Sequence, residues 1–467
     1  MVLRPGVFPA SSIGKPVGIR NCARSCVVRN GSESMPLSLR GREGRSRDQS
    51  EDLPSSSCTI GLGDKSVWER KLCFSMKKAT LLLLCGALAF CACRKDPVPE
   101  PPSKDADLTG QKVDVSGFPE SARKLFVLNE GGMGSNNASL DFLRFSDGNY
   151  VTGAFKKMNP SVGAGLGDVG NDIAVHGDEL WMVVNNSGIV EVVSAKDETE
   201  IAAIAVPTPR NIAFDDQYAY VTSWAGAYAS GSYDENGYYV ITDSKNPKGQ
   251  VYRIDLKTKK LAGSVEVGYQ PEGIASYDGK LYVANSGGIS SQLPPDYSYD
   301  NTVSIIDTKS FKVTQAVAVQ VNLKNVYSDG KGNIYVTSLG DYWSTHSGLY
   351  RIQTKIGSGD TVSKVSDYVS VSSLCGDTVY CIGTDSEFDW SAAHVYKAWC
   401  VQGGNKKDWN LNVAATTLYS LYALDADTFF VGDAGDYFNP GTVSCYYKGS
   451  KRWSVDAGVC PGHFAVY

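Results

Sequence analysis

The sequence lacks the features that most directly indicate a zinc enzyme or a nucleic-acid-binding protein. It has only four histidines among 467 residues, and no spacing of histidine and cysteine matches a zinc site. Acidic residues outnumber basic ones, 50 to 45, so no basic stripe is offered to phosphates. We therefore expect no nucleic-acid partner. The histidines, which we interpret as lone surface or turn residues, are His176, His346, His394 and His463.

The first 75 residues differ in composition from the rest of the chain. They contain no tyrosine, although the chain has 26, and they show no sustained periodicity. They carry 12 Lys and Arg against 7 Asp and Glu, so the remainder of the chain has a net charge of −10. We predict that translation begins at Met76 and that residues 1–75 are not translated. The alternative is a disordered extension.

A secretory signal peptide is predicted at residues 76–93. Two lysines follow Met76, an apolar stretch of about a dozen residues comes next, and Ala92 immediately precedes Cys93. The apolar stretch is too short for a stable membrane span. The segment resembles a bacterial lipoprotein signal, which implies acylation of Cys93 and attachment to a membrane by lipid alone. Residues 94–123, rich in proline and charge, are predicted to form an extended tether.

A pattern of short, tyrosine-rich strands recurs seven times in residues 124–467. Alternating Val, Ile, Tyr and Phe favour strands, and Gly, Asn and Asp favour the turns between them. Repeats of roughly 40 to 60 residues built from short strands are typical of a β-propeller. We predict an all-β, seven-bladed β-propeller with four strands per blade, called inner, second, third and outer. The recurring second strands open at Leu125, Leu180, Tyr218, Lys280, Asn333, Thr378 and Thr428.

The first repeat lacks an inner strand, and an extra strand follows the last repeat. The first copy begins directly with a second strand at Leu125, and a spare strand, Gly462-His-Phe-Ala-Val-Tyr, ends the chain. We predict that this last strand completes the first blade. Such closure removes the open sheet edge that would otherwise promote aggregation.

Five of the twelve cysteines lie in the predicted propeller, all within its last two repeats. In an exported protein they could form disulfides, although pairing cannot be read from the sequence. An odd number leaves at least one thiol, which we expect to be buried. These cysteines are Cys375, Cys381, Cys400, Cys445 and Cys460.

The loops between second and third strands are long and rich in aromatic residues. In a propeller these loops share one face, whereas the turns on the other face, such as Asp329-Gly-Lys-Gly, are short and polar. Aromatic rings supply contact area, and interspersed polar groups orient a ligand. The simpler interpretation is that the rings only pack the loops together. We predict a ligand-binding face that includes Trp224, Tyr228, Tyr238, Tyr297, Tyr299, Tyr342, Trp343, Phe388, Trp390, Tyr437 and Phe438.

Two glycine-rich stretches are predicted beside that face. One follows Asn129, and the other, Gly165-Leu-Gly-Asp-Val-Gly-Asn-Asp, enters the second blade. Such stretches bring backbone amides and carboxylates close to a ligand, but they are equally good tight turns. Asp168 and Asn171 are the ligand-binding candidates here.

Several segments of the predicted propeller carry a resemblance to a known group of proteins. They are the repeated Leu-Tyr-Val and Ile-Asp units, Leu125-Phe-Val-Leu-Asn-Glu-Gly, Ser135-Asn-Asn-Ala-Ser-Leu, Leu166-Gly-Asp-Val-Gly-Asn-Asp-Ile and Pro209-Arg-Asn-Ile. These segments resemble the YncE-like seven-bladed propeller lipoproteins of the gut bacterial cell surface, and the BtuG-like proteins among them. The resemblance implies a lipid-anchored outer-membrane protein exposed on the cell surface. It further implies capture of vitamin B12 or a related corrinoid and delivery to a TonB-dependent outer-membrane transporter. No ligand residue is transferred from that group, because its binding loops vary.

Two other functions remain open on the sequence alone. Propeller lactonases and related hydrolases hold a divalent metal in the central channel, but we see no nucleophile and base pair and no compact metal spacing here. We therefore expect a binding protein without a cofactor rather than an enzyme. Adhesion to a glycan or to a protein through the aromatic face is the stronger alternative, because tryptophan and tyrosine also stack on sugars. The candidate metal ligands are Asp168, Asn171, Asp172, Glu272, Asn285 and Asn325.

Overall fold

The structure, a computed structural model, describes most of the predicted propeller and a short segment before it. The signal peptide, Cys93 and residues 1–75 lie outside the described residues, so the predictions made for them stay predictions. The described residues are 107–119, 121–233, 235, 239–287, 299–342, 344–354, 360–384 and 396–467.

Seven antiparallel sheets correspond to the seven predicted blades. The first blade begins with β1 (Gln111–Lys112), β2 (Lys124–Asn129), β3 (Ser139–Arg144) and β4 (Asn149–Val151), followed by a short helix α1 (Ala154–Met158). The second contains β5 (Gly170–His176), β6 (Glu179–Val184), β7 (Ile189–Ser194) and β8 (Glu200–Ala205). The third contains β9 (Pro209–Phe214), β10 (Tyr218–Ser223), β13 (Lys248–Asp255) and β14 (Lys260–Tyr269), with the separate hairpin β11 (Tyr228–Tyr233) and β12 (Tyr239–Lys245) inserted.

The remaining blades follow the same order, and their described residues contain no further inserted hairpin. The fourth contains β15 (Pro271–Tyr277), β16 (Lys280–Asn285), β17 (Thr302–Asp307) and β18 (Lys312–Ala318). The fifth contains β19 (Leu323–Ser328), β20 (Asn333–Ser338), β21 (Gly348–Gln353) and β22 (Thr361–Asp367). The sixth contains β23 (Val369–Cys375), β24 (Thr378–Gly383), β25 (Lys397–Gln402) and β26 (Asn405–Trp409). The seventh contains β27 (Leu418–Ala423), β28 (Thr428–Asp433), β29 (Pro440–Tyr447) and β30 (Ser450–Val459), and the chain ends with β31 (Pro461–Val466).

The predicted closure of the ring is confirmed. β31 pairs antiparallel with β2 and is the inner strand of the first blade. Phe464 lies opposite Val127, and Val466 lies opposite Leu125. The last strand of the chain therefore covers the edge that β2 would otherwise expose.

Residues 107–119 lie on the propeller, although the sequence assigned them to the tether. Gln111–Lys112 pairs with the outer edge of β4, because that edge offers unpaired backbone groups. The propeller therefore begins before Lys124, and we call residues 107–119 the N-terminal strap.

The N-terminal strap also joins the first and seventh blades. The ring of Phe118 lies edge-on to Phe145 at 5.3 Å and to Phe430 at 6.0 Å. Arg452 Nε donates to Asp114 at 2.9 Å, and Trp453 Nε1 donates to the Asp114 carbonyl at 2.8 Å. The N-terminal strap and β31 thus secure the same junction between blades, from outside and from inside the ring.

Apolar cores occupy the spaces between neighbouring blades. Within the described residues there are seven such cores, one for each junction. Alternate residues of one strand serve two junctions: Leu125 and Val127 face the seventh blade, whereas Phe126 and Leu128 face the second. The second strands are consequently buried on both faces, which explains their nearly continuous apolar sequences.

Within the described part of the chain, no disulfide joins any two of the five propeller cysteines, so none of the pairings that the sequence left open is formed there. The cysteines belong to different environments: Cys445 lies in the core between blades seven and one, and Cys381 in the core between five and six. Cys460 lies near the loops of the seventh blade. Burial raises the pKa of Cys445 to about 12, so its thiol stays protonated at neutral pH.

In the part of the chain that is described, no helix has the length and hydropathy of a membrane crossing.

Glu191 is a buried carboxyl on the third strand of the second blade. Its side chain is 2% exposed, and its Oε1 has no hydrogen-bond partner within the described residues. Burial, with a smaller contribution from the charge of Glu200, raises the pKa of Glu191 to about 8. The folded state therefore holds a proton that the unfolded chain releases near its ordinary pKa of about 4.3.

Removing residues Gly462 to Tyr467 should destabilise the whole ring. The deletion uncovers the edge of β2 and removes Phe464 from its core, and loss of one buried phenylalanine alone costs about 3–5 kcal/mol. Thermal unfolding of the shortened chain should show a much lower midpoint than that of the intact chain. Adding a synthetic peptide of residues 461–467 should raise the midpoint again by restoring the missing strand. An unchanged midpoint after deletion would contradict this role of β31.

The stability of the protein should fall as pH rises from about 4.5 to 8 because of Glu191. Stability is complete below the unfolded pKa, where the carboxyl is neutral in both states, and it declines until the folded group also ionises. Glu191→Gln should flatten this decline, as measured by denaturant unfolding at several pH values. Glu200→Gln is the matched control, because its exposed carboxyl should change the profile only slightly. Identical profiles for the wild type and Glu191→Gln would exclude this explanation.

Candidate functional site

One face of the ring carries two sets of connections that touch each other. The first set joins second to third strands, and the other joins each outer strand to the next inner strand. In the first two blades, Asp168 Oδ2 accepts hydrogen bonds from the Gly134 amide at 2.8 Å and from Asn186 Nδ2 at 2.6 Å. In the fifth, Asn322 Nδ2 donates to the Gly340 carbonyl at 2.9 Å. We call this the loop face.

The opposite face consists mostly of tight turns. Gly177 and Asp178 alone separate β5 from β6, and Asp278 and Gly279 alone separate β15 from β16. Gly177 and Gly279 both have positive φ angles, which such short turns require. The predicted asymmetry between the faces is therefore present in the described residues.

Trp224, predicted as a ligand platform, is instead part of the scaffold. It is 8% exposed, and the guanidinium of Arg210 lies 4.3 Å from the centre of its ring. This cation–π contact occupies the ring face that a ligand would need. A single sequence does not show this contact, because Arg210 lies on β9 and Trp224 follows the end of β10.

Tyr342 and Tyr437, two of the predicted ligand-binding residues, line the central channel where it reaches the loop face. Both have positive φ angles, 65° and 68°, which bulky residues rarely adopt. Tyr437 also lies edge-on to Tyr419, with ring centres 5.9 Å apart. Such backbone conformations persist only where the surroundings hold them, and they are common at binding sites.

The other predicted aromatic residues have different environments. Phe438 is 86% exposed, and Tyr228, on the inserted hairpin, is 46% exposed with its hydroxyl donating to Asp243 at 2.9 Å. Tyr299 is half-buried, and burial raises its pKa well above the ordinary value. Outside the described residues lie Tyr238, Tyr297, Trp343, Phe388 and Trp390.

Asp168 and Asn171 already have partners within the scaffold. Asp168 holds the loop of the first blade through Gly134, as described above. Asn171 Nδ2 donates to the Arg210 carbonyl at 2.7 Å and so joins the second and third blades. These contacts match the turn-forming alternative that the sequence allowed for this stretch.

A cavity of about 630 Å3 occupies the central channel and reaches the loop face. Its volume is within the range of small-molecule pockets. Most of its wall comes from blades five, six and seven, including Tyr327, Ser372 and Tyr422. The sequence analysis placed the site on the loops and did not identify this cavity.

A buried ionic network lies where three inner strands start. Glu272 accepts from Arg210 Nη2 at 3.0 Å and from Lys324 Nζ at 2.7 Å. Burial alone would raise the pKa of Glu272, but the two cations outweigh it and lower the pKa. These three residues occupy the same position in blades three, four and five, so alignment of the repeats would have predicted their proximity.

A second polar group lies across the channel. His463 Nε2 lies 3.0 Å from Glu130 Oε1, and the Tyr419 hydroxyl donates to Glu130 Oε2 at 2.5 Å. Asp172, partly buried nearby, accepts from the amides of Ile173 and Ile212 at 2.9 Å. Burial raises the pKa of Asp172 despite these hydrogen bonds and the charge of His463. His463 is thus a channel residue rather than the surface histidine that we predicted.

The candidate metal ligands do not converge. Glu272 is neutralised by its two cations, and Asn285 donates to Thr302 and Ser304 at 3.0 and 2.9 Å. Within the described ranges, no three His, Cys, Asp or Glu side chains are arranged to hold a metal ion.

The fold and the channel define a seven-bladed β-propeller with one elaborated face. No protein-family model and no curated protein matches the sequence. Among solved structures, the chain is similar to a functionally unknown protein from Desulfotomaculum acetoxidans (TM-score 0.51, 11% identity, 74% of this chain and 99% of that chain). Hydrazine synthase from Kuenenia stuttgartiensis also matches (0.44, 13%, 63% and 88%), as does the Pan2 WD40 domain from Neurospora crassa (0.40, 9%, 62% and 79%). The Desulfotomaculum protein supports the fold alone.

Removing the central carboxylate of the ionic network should strongly destabilise the protein. Glu272→Ala leaves Arg210 and Lys324 buried without their shared partner, which we expect to cost about 3–5 kcal/mol in denaturant unfolding. Because the folded pKa of Glu272 is lowered, this stabilisation is present above the ordinary pKa of about 4.3 and is lost as pH falls.

Glu266→Ala is the matched control for this experiment. Glu266 pairs with Lys248 at 3.4 Å, but both side chains are more than half exposed, so the loss should be below about 1 kcal/mol. Equal losses for the two variants would show that the network at Glu272 has no special importance.

Proposed function

We propose that this protein is a cell-surface lipoprotein that binds a ligand on its loop face. The ligand proposed is vitamin B12 or a related corrinoid, which the protein would pass to a TonB-dependent outer-membrane transporter. The observation that carries the binding proposal is the concentration of long connections and exposed aromatic residues on one face, around the mouth of a channel.

The mouth of the channel favours a large ligand with both apolar and polar groups. Tyr342 and Tyr437 supply ring surfaces held by unusual backbone conformations, and Phe438 adds an almost fully exposed ring beside them. Polar side chains such as Thr416 and Thr417 lie at the same rim. A ligand broader than the channel would therefore rest on the rings while its polar fringe meets the hydroxyls.

The choice of a corrinoid depends on the sequence resemblance rather than on the shape of the site. The segments from Leu125 and from Leu166 that carry the resemblance belong to the first two blades and their loop-face connections. The lipid anchor at Cys93, the surface location and the transporter partner come from the same resemblance. A corrinoid is partly flat and fringed with amides, which suits tyrosine rings surrounded by hydroxyl and carboxylate groups.

Titration with cyanocobalamin tests the proposal directly. The chain from Arg94 to Tyr467 lacks the lipid site and retains every blade, and calorimetry should show saturable binding with one ligand per chain. The absence of both heat and a thermal shift would reject the corrinoid and favour a glycan or protein ligand on the same face.

A double variant, Tyr342→Ala with Phe438→Ala, should weaken binding by about tenfold or more while the thermal midpoint changes little. Trp224 is unsuitable for this purpose because its ring supports Arg210. Leu261→Ala is the control, since Leu261 is 47% exposed on an outer strand near the opposite face. If the double variant bound cyanocobalamin as tightly as the wild type, the site would lie elsewhere.

A further inference from the structure

The sixth blade departs from a rule that the other six blades follow at the centre of the ring. One position of the inner strand pairs with the fourth residue of the second strand. In six blades the residue at this position is apolar and buried, and it packs towards the preceding blade. In the sixth blade this residue is Ser372, opposite Cys381. The apolar residues in the other blades are Ile173, Ile212, Ile274, Val326, Leu421 and Phe464.

The residue that the fifth blade contributes to this junction also differs from its counterparts in the other blades. The next inner-strand residue faces the following blade, and it is alanine at the four junctions from blade one to blade five. At the junction between five and six it is Tyr327, whose hydroxyl donates to the Ser372 carbonyl at 3.0 Å and lies 3.1 Å from the Ser372 hydroxyl. At the junction between blades five and six, tyrosine therefore faces serine, whereas at the four junctions from blade one to blade five alanine faces isoleucine or valine.

This replacement opens the channel on one side. In the described residues, β19 and β23 are the neighbouring inner strands that lack the close packing found at the other six junctions. The cavity of about 630 Å3 lies against this wider junction and extends along blades six and seven. The cavity therefore results from the residue types at Tyr327 and Ser372, and not from a general looseness of packing.

Hydroxyl groups form the wall of the cavity on this side. A hydroxyl both donates and accepts hydrogen bonds, so it can match another hydroxyl in either role. The contributing side chains are Ser370, Ser372, Ser373, Thr416, Tyr327 and Tyr422. The two tyrosines also provide ring surface against which an apolar face of a ligand can pack.

The opposite wall of the cavity is also polar and includes Asn211 and Asn325. A side-chain amide carries both donors and an acceptor, so residues of this type complement ligand hydroxyls.

The charges around the cavity are balanced by neighbours within the protein. Asp172 accepts two backbone amides, Lys324 is paired with Glu272, and His463 contacts Glu130. A charged ligand would have to compete with these contacts, whereas a neutral one would not. The chemistry of the wall therefore selects an uncharged ligand.

We propose that the channel cavity is a binding site for a neutral, polyhydroxylated molecule of monosaccharide size, held between the Tyr327 and Ser372 junction and Asn211. This proposal goes beyond the corrinoid one. Both sites share the cavity that Tyr342, Tyr437 and Thr416 line, but the sugar is placed at the Tyr327 and Ser372 junction rather than on the exposed ring of Phe438. Ring hydroxyls of the sugar exchange hydrogen bonds with the serine and threonine hydroxyls, and its apolar face packs against tyrosine.

Neutral sugars are the probes for this site. The chain from Arg94 to Tyr467, which contains all seven junctions between blades, is titrated with D-glucose, D-galactose, D-mannose and D-ribose. Saturation-transfer NMR should detect at least one of them, and the same sugar should raise the thermal midpoint. If none of the four gives a signal at millimolar concentration, the cavity holds water only and the proposal is overturned.

Ser372→Ile locates the binding, because it restores the residue type of the other blades and fills the junction. It should weaken sugar binding by about tenfold or more while leaving the Ser372 carbonyl available to Tyr327. If this variant does not fold, Ser372→Ala removes the hydroxyl without adding bulk and should also weaken binding. Ser276→Ile, on the inner strand of blade four but outside the cavity wall, is the control.

Unchanged sugar affinity in a folded Ser372 variant would place the sugar elsewhere and overturn the proposal. The cyanocobalamin titration of the same variants separates the two proposals. Loss of sugar binding in a folded Ser372 variant supports the channel site. If the wild type also binds cyanocobalamin, that affinity should be unchanged in the variant; if it does not, the sugar result still stands alone.

Discussion

Every blade of this propeller must bury both faces of its sheet against neighbours, and the rest of the structure depends on that requirement. In β2, Leu125 and Val127 complete one core while Phe126 and Leu128 complete another. No blade has a core of its own, so stability arises only when the ring is complete. This explains why one junction uses both β31 on the inside and the N-terminal strap on the outside.

The same requirement separates the scaffold from the surfaces that are free to vary. Positions that face the junctions require apolar residues. The loop face requires only enough hydrogen bonds to hold neighbouring connections together, such as the hydrogen bonds that Asp168 and Asn322 make. The buried network at Glu272 belongs to the scaffold for a similar reason. Its carboxylate and two cations meet because three consecutive blades supply one residue each.

The sequence predicted the elements that repeat and missed the contacts that join them. The seven second strands and the closing strand were predicted correctly, because their apolar alternation and spacing are local signals. The burial of Trp224 was not predicted, because it depends on Arg210, which lies on a neighbouring strand. The N-terminal strap was missed because two paired residues give no periodicity, and its anchoring partners lie more than 300 residues away.

The channel cavity was missed for a different reason, since its signal was present in the sequence. Ser372 stands where six other copies carry Ile, Val, Leu or Phe, and Tyr327 stands where four carry Ala. The strand pattern that all repeats share is enough to identify the blades. Ser372 and Tyr327 stand out only when the residues at each position are compared from one repeat to the next. In a ring held together by seven equivalent junctions, a single junction that replaces apolar packing with hydroxyl groups gives up burial that the others retain. Such a departure is expected where function, rather than stability, determines the residue.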